Sequence, residues 1–457
     1  MSRDLRDFIN LLRRQAPEDL WKITKPVSKS YEITAFALEL ERESRYPALM
    51  FNNVEGSSIP LITNLFASRR RIAMALGINE SDLLSAWQRL MENRIPPRYQ
   101  KDGPVKEIIL KGDEVDLSHF PIPVHFEVDA GPYITAGISI ARDPDTGIGN
   151  LSYARLQIKG KNKLGASLHS RGNFWDYQRR AEEKNQPLEV AVAIGVHPAV
   201  SIAAATRLPL GEDELELAGG LLGEPIDLVP AETVDLMVPA DAEMVIEGYI
   251  EPNVREDEGP FGEYTGYATE RSTRHVMHVN AISHRRDMIF HDIIPGASSE
   301  HLNLSKTSRV PQFFNQLKKL LPNVVAMNYP QSGTHFHCYL SMKKLLDGQP
   351  RQAMAFLFGI DLYLKLIVVV DEDVDVFNEE QVMWALATRF QAQRDLFVIP
   401  DAPCNVLDPS SENGVSDKLG LDATKKFSKD VKPLTFSKDL VRKIREDIRL
   451  FLGEETQ

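Results

Sequence analysis

Cysteine is nearly absent from this sequence, which contains only Cys338 and Cys404 among its 457 residues. Two cysteines provide neither a disulfide framework nor a zinc cluster, because each needs a larger set. Long apolar runs are absent as well. The sequence contains no stretch of about 18 apolar residues, which is the length needed to span a membrane. The first residues, MSRDLRDFINLLRRQ, are charged throughout and lack the apolar region of a signal peptide. These absences predict a cytoplasmic protein without a membrane segment.

Positive charge is also in deficit, with 53 Lys and Arg against 65 Asp and Glu and a formal net charge of -12. Nucleic-acid binding needs a basic surface, so we expect no nucleic-acid partner. The sequence contains no Gly-rich phosphate loop of the Rossmann or Walker type, no H-E-x-x-H and no serine nucleophile elbow. The commonest nucleotide-binding and hydrolytic sites are therefore excluded.

The character of the chain changes twice along its length, which predicts a mixed α/β (α+β) protein of three domains. Residues 1–104 mix helices with short apolar strands and form an N-terminal α/β domain. Residues 105–305 contain many short β segments between turns, which is typical of an antiparallel barrel. Residues 306–457 are α/β: VPQFFNQLKKLL predicts a helix, and LKLIVVVDEDVDV is typical of a strand buried on both faces.

The stretch EDEGPFGEYTGY, residues 256–267, places Glu258 and Glu263 on either side of Gly-Pro-Phe-Gly. Glycine and proline exclude a helix here, so a constrained loop presents two carboxylates. Arg155, at the end of GNLSYAR, lies in a strand of the same predicted barrel. An arginine between the carboxylates would keep one ionised and leave the other to exchange a proton. Spacing alone leaves the alternative of a solvated acidic loop open.

A second acidic stretch, GEDELELAGGL, places Glu214 and Glu216 before a patch of small residues, and Asn150 lies upstream of Arg155. A carboxylate with an amide oxygen suits magnesium or manganese. The alternative is a helix start, where the helix dipole favours acidic residues. The acidic DEDVDV also could bind a metal, although capping of the next helix is favoured. The histidines of HFH, residues 335–337, predict alternating strand positions rather than a zinc site.

Together, NLSYAR, ELELAGG and EGPFGEYTGY, in this order, resemble the UbiD family of decarboxylases, which use prenylated FMN. VVVDEDVDVFNEEQVMWALATRF resembles the C-terminal domain of the family, so the resemblance covers nearly the whole chain. It implies that the central barrel is a split β-barrel that binds flavin. It further implies that Arg155 is the catalytic arginine, Glu258 its partner and Glu263 the proton donor. The flavin would accept electrons as carbon dioxide leaves, and Glu263 would return a proton to the same carbon.

The resemblance also implies how the cofactor is held. Asn150 and Glu214 match two ligands of a divalent metal, Mn²⁺ or Mg²⁺, that binds the cofactor phosphate. The third ligand of the family is often a histidine, but the corresponding position is Asn173, whose oxygen also suits a hard cation. A monovalent cation, K⁺ or Na⁺, is expected near residues 203–207. The residues expected to bind the cofactor are Asn150, Ser152, Tyr153, Ala154, Arg155, Asn173, Ala204, Thr206 and Glu214.

The substrate is expected to be a small aromatic or heteroaromatic acid. By resemblance, His169 lines the substrate side of the flavin. His301 and Arg309 are two potential cations near the pocket, and they could clamp a second carboxylate. This favours furan-2,5-dicarboxylate, and the furan-dicarboxylate branch of the family looks similar around these residues. A local salt bridge of Arg309 stays equally open, as do pyrrole, furan and hydroxybenzoate monoacids.

Two alternatives are a flavin-binding subunit without activity, within a carboxylase complex, and a metal-dependent hydrolase. The intact set of Arg155, Glu258 and Glu263 argues against the first, and the lack of a histidine-rich site argues against the second. A flavin prenyltransferase of the UbiX type is the expected supplier of the cofactor. The resemblance implies homodimers or homohexamers, and the last helix has an apolar stripe that would dock on a partner: Leu440, Ile444, Ile448 and Leu452.

Overall fold

The fold is that of a computed structural model, which describes residues 3–168, 172–209, 211–426, 434 and 436–452. Helices and strands are both abundant and are mixed along the chain, so the predicted fold class is confirmed. Within the described residues, no helix combines the length and the apolar character that crossing a membrane requires.

The first part of the chain forms a small sheet with helices packed on it. Its elements are α1 (Leu5–Gln15), β1 (Leu20–Ile23), α2 (Glu32–Arg42), β2 (Ala48–Phe51), β3 (Leu61–Thr63), α3 (Arg69–Ala75) and α4 (Leu83–Glu92). The strands lie side by side in chain order, and a short strand from much later, Phe290–His291, pairs in parallel with β3. The N-terminal sheet is therefore completed by the segment that leaves the central region.

The central region is built on one large antiparallel sheet that curls into a half-barrel. The elements of the region are β4 (Arg98–Tyr99), β5 (Ile108–Lys111), β6 (Tyr133–Ile134), β7 (Ile138–Arg142), β8 (Gly149–Tyr153), β9 (Arg155–Gly160), β10 (Lys163–Ser167), α5 (Asn173–Glu183), β11 (Leu188–Ile194), α6 (Pro198–Ala204), α7 (Glu214–Leu222), β12 (Asp227–Pro230), β13 (Met237–Pro239), β14 (Met244–Glu258), β15 (Phe261–Gly262), β16 (Ala268–Thr269), β17 (Ser272–His284) and β18 (Phe290–His291). The strand order is β6-β9-β10-β17-β14-β11-β7-β8, and β5 pairs with the far end of β17. Long strands β14 and β17 pair up to Glu258 and Ser272, so the acidic loop connects them at one end of the sheet.

Both faces of this sheet are buried, as β11 shows. Ala191 and Ala193 pack with α6, α7 and the N-terminal helices. Val190, Val192 and Ile194 point the other way, into the half-barrel. Because side chains alternate along a strand, one apolar run supplies two cores. The sheet is thereby fixed between two packed layers, and the ends of its strands can hold side chains in place.

The last part of the chain begins with a long helix and forms a second sheet. Its elements are α8 (Ser299–Leu320), β19 (Val324–Asn328), β20 (His337–Met342), α9 (Gln349–Ile360), β21 (Leu366–Asp371), α10 (Glu379–Arg389), α11 (Ala392–Asp395), β22 (Leu396–Pro403), β23 (Val415–Asp422) and α12 (Lys438–Leu452). The strand order is β19-β20-β21-β23-β22, and β21 has a parallel neighbour on each side. The apolar run around residue 368 is thus a doubly buried strand, as predicted.

Two details of this part differ from the prediction. Helix α8 begins at Ser299 rather than at Val310, because the side chain of Ser298 caps its first turn by accepting a hydrogen bond from the backbone N–H of His301. Pro311 lies inside the helix instead of marking its start. In HFH, only His337 belongs to a strand, since β20 begins there. His335 instead lies buried in the preceding turn.

Candidate active site

Arg155 brings the two glutamates of the acidic loop together. It is the first residue of β9, Glu258 ends β14, and Glu263 directly follows β15. The Nε and Nη2 atoms of Arg155 donate to the two carboxylate oxygens of Glu258 at 2.9 and 2.8 Å. Its Nη1 atom donates to Glu263. The three residues that the sequence singled out therefore form one hydrogen-bonded group.

The two carboxylates of this group differ in their surroundings. The side chain of Glu258 has no exposed surface, whereas that of Glu263 is 15% exposed. Burial lowers the pKa of Arg155, but the hydrogen bonds to Glu258 and the charges of both glutamates outweigh it, so the pKa is raised. The guanidinium stays charged and holds Glu258 through a two-point contact. Glu263 is held through one N–H and is the more exposed of the two carboxylates.

Two glycines hold the loop close to its neighbours. Gly259 has φ of +82°, and a Cβ there would lie 3.2 Å from the carbonyl oxygen of Glu270. A Cβ on Gly262 would lie 2.4 Å from the ring of Phe126. The backbone N–H of Gly262 also donates to Asp129 at 2.8 Å. The loop is therefore packed and hydrogen-bonded, which limits the drift of Glu263.

Asn150 and Glu214 form a second buried pair, between β8 and the first residue of α7. The Asn150 Nδ2 atom donates to both carboxylate oxygens at 3.0 Å, and the backbone N–H of Leu151 donates at 2.8 Å. Burial raises the pKa of Glu214 to about 8, although the hydrogen bond from Leu151 opposes the rise. In the described part of the chain, Asn150 Oδ1 is buried without a hydrogen-bond partner. A buried carboxyl beside an unused amide oxygen fits a hard cation.

Asn173, the expected third ligand, is the half-buried first residue of α5, a helix that contacts β8. Among the described residues, no group of three or more His, Cys, Asp and Glu side chains is arranged to hold a metal. The set predicted from the sequence contains one carboxylate and two amides, so an ion here would rely on amide oxygens. His169 lies outside the described residues.

The other expected cofactor residues lie on or directly after β8 and at or just beyond the end of α6, two elements in contact. Within the described residues, the buried hydroxyl of Ser152 has no hydrogen-bond partner, and the buried hydroxyl of Tyr153 lies beside Ser201. Ala204 is the last residue of α6, and the hydroxyl of Thr206 donates to the carbonyl of Ile202 at 2.8 Å. Buried polar groups are normally paired, so the unused hydroxyl of Ser152 on β8 fits a polar ligand.

His301 lies in the first turn of α8, close to Glu263. Its Nδ1–H donates to the carbonyl of Gly296 at 3.0 Å. Burial lowers the pKa of His301, although the negative charge of Glu263 opposes this. The imidazole is therefore neutral at pH 7, with Nε2 as a hydrogen-bond acceptor, and becomes a cation only at lower pH.

Arg309, two turns further along α8, makes the local salt bridge that the sequence left open. Its Nη2 atom donates to Asp361, whose side chain is 1% exposed. Tyr329 donates its hydroxyl to the same carboxylate at 2.8 Å. The guanidinium lies 3.8 Å from the ring centre of Tyr363. Arg309 is thus a fixed cation beside the candidate active site.

Sequence reasoning missed the aromatic contacts that join the acidic loop to the last part of the chain. The ring of Tyr264, next to Glu263, lies 4.8 Å from that of His335 and 5.8 Å from that of Tyr363. His335 Nε2 and the hydroxyl oxygen of Ser305 of α8 share a hydrogen bond at 2.9 Å. In the sequence, the HFH stretch was the signal for this contact. Because we assigned HFH to a strand, the contact between His335 and Tyr264 was not predicted.

Comparison with known proteins identifies relatives over nearly the whole chain. Models of the N-terminal, Rift-related and C-terminal domains of 3-octaprenyl-4-hydroxybenzoate carboxy-lyase match residues 11–91, 98–298 and 303–423. The UbiD-class enzyme HmfF from Pelotomaculum thermopropionicum, in complex with FMN, is 40% identical, with 96% of this chain and 98% of that chain covered and a TM-score of 0.91. An evolved dimeric form of that enzyme, in complex with prFMN, is 37% identical over the same shares, with a TM-score of 0.88. The 3,4-dihydroxybenzoic acid decarboxylase AroY of Klebsiella pneumoniae is 26% identical over 100% of both chains, with a TM-score of 0.89. The resemblance predicted from the sequence motifs is confirmed.

Proposed function

Because the chain belongs to the UbiD family and is therefore an aromatic acid decarboxylase, we propose that it catalyses the reversible, non-oxidative decarboxylation of a small heteroaromatic acid with prenylated FMN. The observation that supports this is the hydrogen-bonded group of Arg155, Glu258 and Glu263 at one end of the half-barrel. A flavin-binding subunit without activity has no need of such a proton donor. The bound cofactor would supply the electron sink that lets carbon dioxide leave.

Within this proposal, each residue of the group has one role. Glu263 delivers a proton to the carbon that has lost its carboxyl group and takes it back in the reverse direction. Arg155 orients Glu263 through Nη1, and Glu258 fixes Arg155 from the buried side. The packed glycine loop keeps the proton donor at a constant distance from the substrate.

The test is release of carbon dioxide by protein produced together with a flavin prenyltransferase of the UbiX type, the proposed supplier of the cofactor. A panel of furan, pyrrole and hydroxybenzoate acids is assayed, and the flavin spectrum of each preparation is recorded. We expect at least one acid to be turned over only when the prenyltransferase is present. Turnover by protein carrying unmodified FMN would contradict the proposed cofactor.

For the cofactor site, we propose that Asn150 and Glu214 bind a divalent ion, Mn²⁺ or Mg²⁺, with Asn173 as the third donor. The unused Oδ1 of Asn150 and the buried carboxyl of Glu214 support this choice. The ion would neutralise the phosphate of the cofactor, because a hard cation binds the oxygens of the protein side chains and those of a phosphate alike. A monovalent cation, K⁺ or Na⁺, is proposed near residues 203–207.

For the substrate, we propose a diacid such as furan-2,5-dicarboxylate, whose second carboxylate binds Arg309. Within the described residues, Arg309 donates one hydrogen bond, to Asp361, out of the five N–H groups of a guanidinium. The remaining groups are held in place by the stacked ring of Tyr363. A fixed cation with unused donors binds a carboxylate at little cost in side-chain freedom.

The first prediction is a preference for the diacid, measured as kcat/KM for furan-2,5-dicarboxylate against furan-2-carboxylate. A charged hydrogen bond contributes roughly 1.5–3 kcal/mol, so the preference should reach about one to two powers of ten. Truncating Arg309 alone would leave Asp361 buried without its cationic partner and cost about 3–5 kcal/mol of stability. The Arg309→Met/Asp361→Asn double variant avoids this and should lose the preference.

Asp361→Asn alone serves as the control and should keep most of the preference, because Arg309 is still present. His301 adds to the preference only when its imidazole is charged, so its contribution is present at low pH and disappears as the pH rises through its lowered pKa. Equal kcat/KM values for both acids in the wild type would exclude the diacid clamp. A preference that survives in the double variant would place the second carboxylate elsewhere.

For the assembly, we propose homodimers, or hexamers built from them, with α12 in the interface. Among the described residues, this helix exposes an apolar stripe to solvent: Leu440 (45% exposed), Ile444 (45%), Ile448 (51%) and Phe451 (91%). The side chain of Leu452 lies outside the described residues. An apolar stripe of this length on a surface helix marks a contact surface.

The second prediction concerns this stripe. Light scattering at micromolar concentration should give a dimer or a larger multiple for the wild type. Ile444→Glu and Ile448→Glu should shift the population towards monomer, because a carboxylate cannot be buried in an apolar contact without a partner. Lys443→Glu introduces the same side chain outside the stripe and should leave the assembly unchanged. A monomeric wild type would refute the proposed assembly.

A further inference from the structure

A cavity of about 1040 Å³ lies between the N-terminal helices α3 and α4 on one side and α8 with β19 on the other. The part of α8 that lines it includes Asn303, Lys306, Val310 and Phe314, a spacing that defines one face of the helix. His301 and Arg309 do not line the cavity, so it is distinct from the candidate active site. We call it the interdomain cavity.

Positive charge dominates the lining of this cavity. Its charged side chains, among the described residues, are those of Arg69, Lys306, Lys318 and Glu80. Glu80 lies 3.8 Å from Arg69, and both side chains are more than one-third exposed. The deepest of the four is Lys306, which is 8% exposed. Three cations therefore face one carboxylate, and that carboxylate lies at the rim.

Lys306 forms no ion pair with any carboxylate in the described part of the chain. The one hydrogen bond that it makes within the described residues goes from Nζ to the carbonyl of Pro330, at 3.2 Å, and an ammonium has three donors. Burial and the charges of Arg69 and Arg309 lower the pKa of Lys306 to about 7, opposed only by Glu41. Glu41 is already engaged by the backbone N–H and hydroxyl of Ser299.

The remaining lining combines polar side chains, such as Gln88, Asn303 and Asn328, with an apolar wall that favours one class of anion. Apolar side chains of both parts of the chain face the cavity: Leu83, Leu84, Val310, Pro311, Phe314 and Phe377. A fully hydrated inorganic ion gains nothing from such walls, whereas a planar ring buries apolar surface against them. A buried ammonium without a counter-charge is costly, and a carboxylate would supply the missing charge.

We propose that the interdomain cavity binds an aromatic carboxylate, with its carboxylate group on Lys306 and its ring against the apolar wall formed by α4 and α8. Arg69, at the edge of the cavity, adds electrostatic attraction. The site is separate from the reaction that the chain catalyses, and its existence does not depend on which acid is the substrate. Since its walls come from the N-terminal and the C-terminal parts of the chain, a bound acid contacts both.

The test uses 4-bromobenzoate with the holoenzyme. In crystals, the anomalous signal of bromine should appear in the interdomain cavity, in addition to any signal near Arg155. In solution, calorimetric titration should detect this site as a binding event that Lys306→Met weakens roughly 10- to 100-fold, the range expected for loss of a charged hydrogen bond. Lys319→Met removes an exposed lysine of the same helix that does not line the cavity, and it should bind like the wild type.

Thermal unfolding with 4-bromobenzoate separates loss of binding from loss of folding. Ligand binding raises the Tm of a folded protein by mass action, so the ligand should stabilise the wild type more than Lys306→Met. Arg69→Gln, at the other end of the site, should show a smaller loss of affinity. A cavity without bromine, a signal present in crystals but without binding in solution, or equal affinity in Lys306→Met would each overturn the proposal. Binding of inorganic phosphate in preference to 4-bromobenzoate would overturn the assignment of the ligand as aromatic.

Discussion

Glu263→Gln is expected to retain bound flavin and to lose roughly 10²–10⁴-fold in kcat, the usual contribution of a positioned general acid. The amide has nearly the same shape as the carboxyl group, and its oxygen can still accept the hydrogen bond from Nη1 of Arg155. The loop between Gly259 and Gly262 is held by its own packing and should keep its place. What changes is the ability of the side chain to give up a proton to carbon.

The measurement is steady-state release of carbon dioxide, which needs every turnover to be completed, together with exchange of the product C–H hydrogen with deuterium from the solvent. Both should fall together in Glu263→Gln, because both need the same proton transfer. Glu256→Gln is the matched control: Glu256 lies in the same acidic stretch but is 39% exposed and pairs with Lys163 at 2.8 Å. Near-normal turnover of Glu263→Gln would show that another group donates the proton.

The candidate site could be predicted from the sequence because short motifs mark its parts. Arg155 is separated from Glu258 by 103 residues and from Glu263 by 108. No spacing rule links positions so far apart, and the prediction rested on the family motifs around each of them. The fold class was predictable for a different reason. A continuous apolar run such as β21 indicates by itself a strand that is buried on both faces.

The parts that sequence reasoning missed involve contacts between distant side chains without a local pattern. Asp361 lies 52 residues from Arg309 and is one acidic residue among many. The start of α8 was obscured by Pro311, since a proline usually begins or ends a helix. The helix nevertheless extends through it, with its N-terminus capped by Ser298 and its first residues packed in the core. Tertiary packing therefore decides where α8 begins, although Pro311 locally favours a helix end or start.

Substitution of Glu214 is expected to remove the divalent ion and the flavin together. Glu214 is 2% exposed, and its carboxyl group faces Asn150, whose Oδ1 has no partner among the described residues. In Glu214→Gln, an amide replaces the carboxylate with little change in volume, so the backbone N–H of Leu151 still finds an oxygen acceptor. The predicted ligand set of Asn150, Asn173 and Glu214 thereby loses its one carboxylate. Neutral oxygens alone bind a hard cation weakly. Without the cation, the phosphate of the cofactor would be costly to bury at this site, because its charge is not compensated.

The measurement is elemental analysis of the purified variant together with the flavin absorption spectrum. We expect metal and flavin contents that are both far below those of the wild type, and dialysis of the wild type against a chelator should reproduce the loss. Glu216→Gln changes a neighbouring acidic residue in the first turn of α7 that does not contact Asn150, and it should keep both. Asn150→Ala should behave like Glu214→Gln, because it removes the unused amide oxygen. If Glu214→Gln kept its full flavin content without metal, the ion would not connect the protein to the cofactor, and the ligand assignment would be wrong.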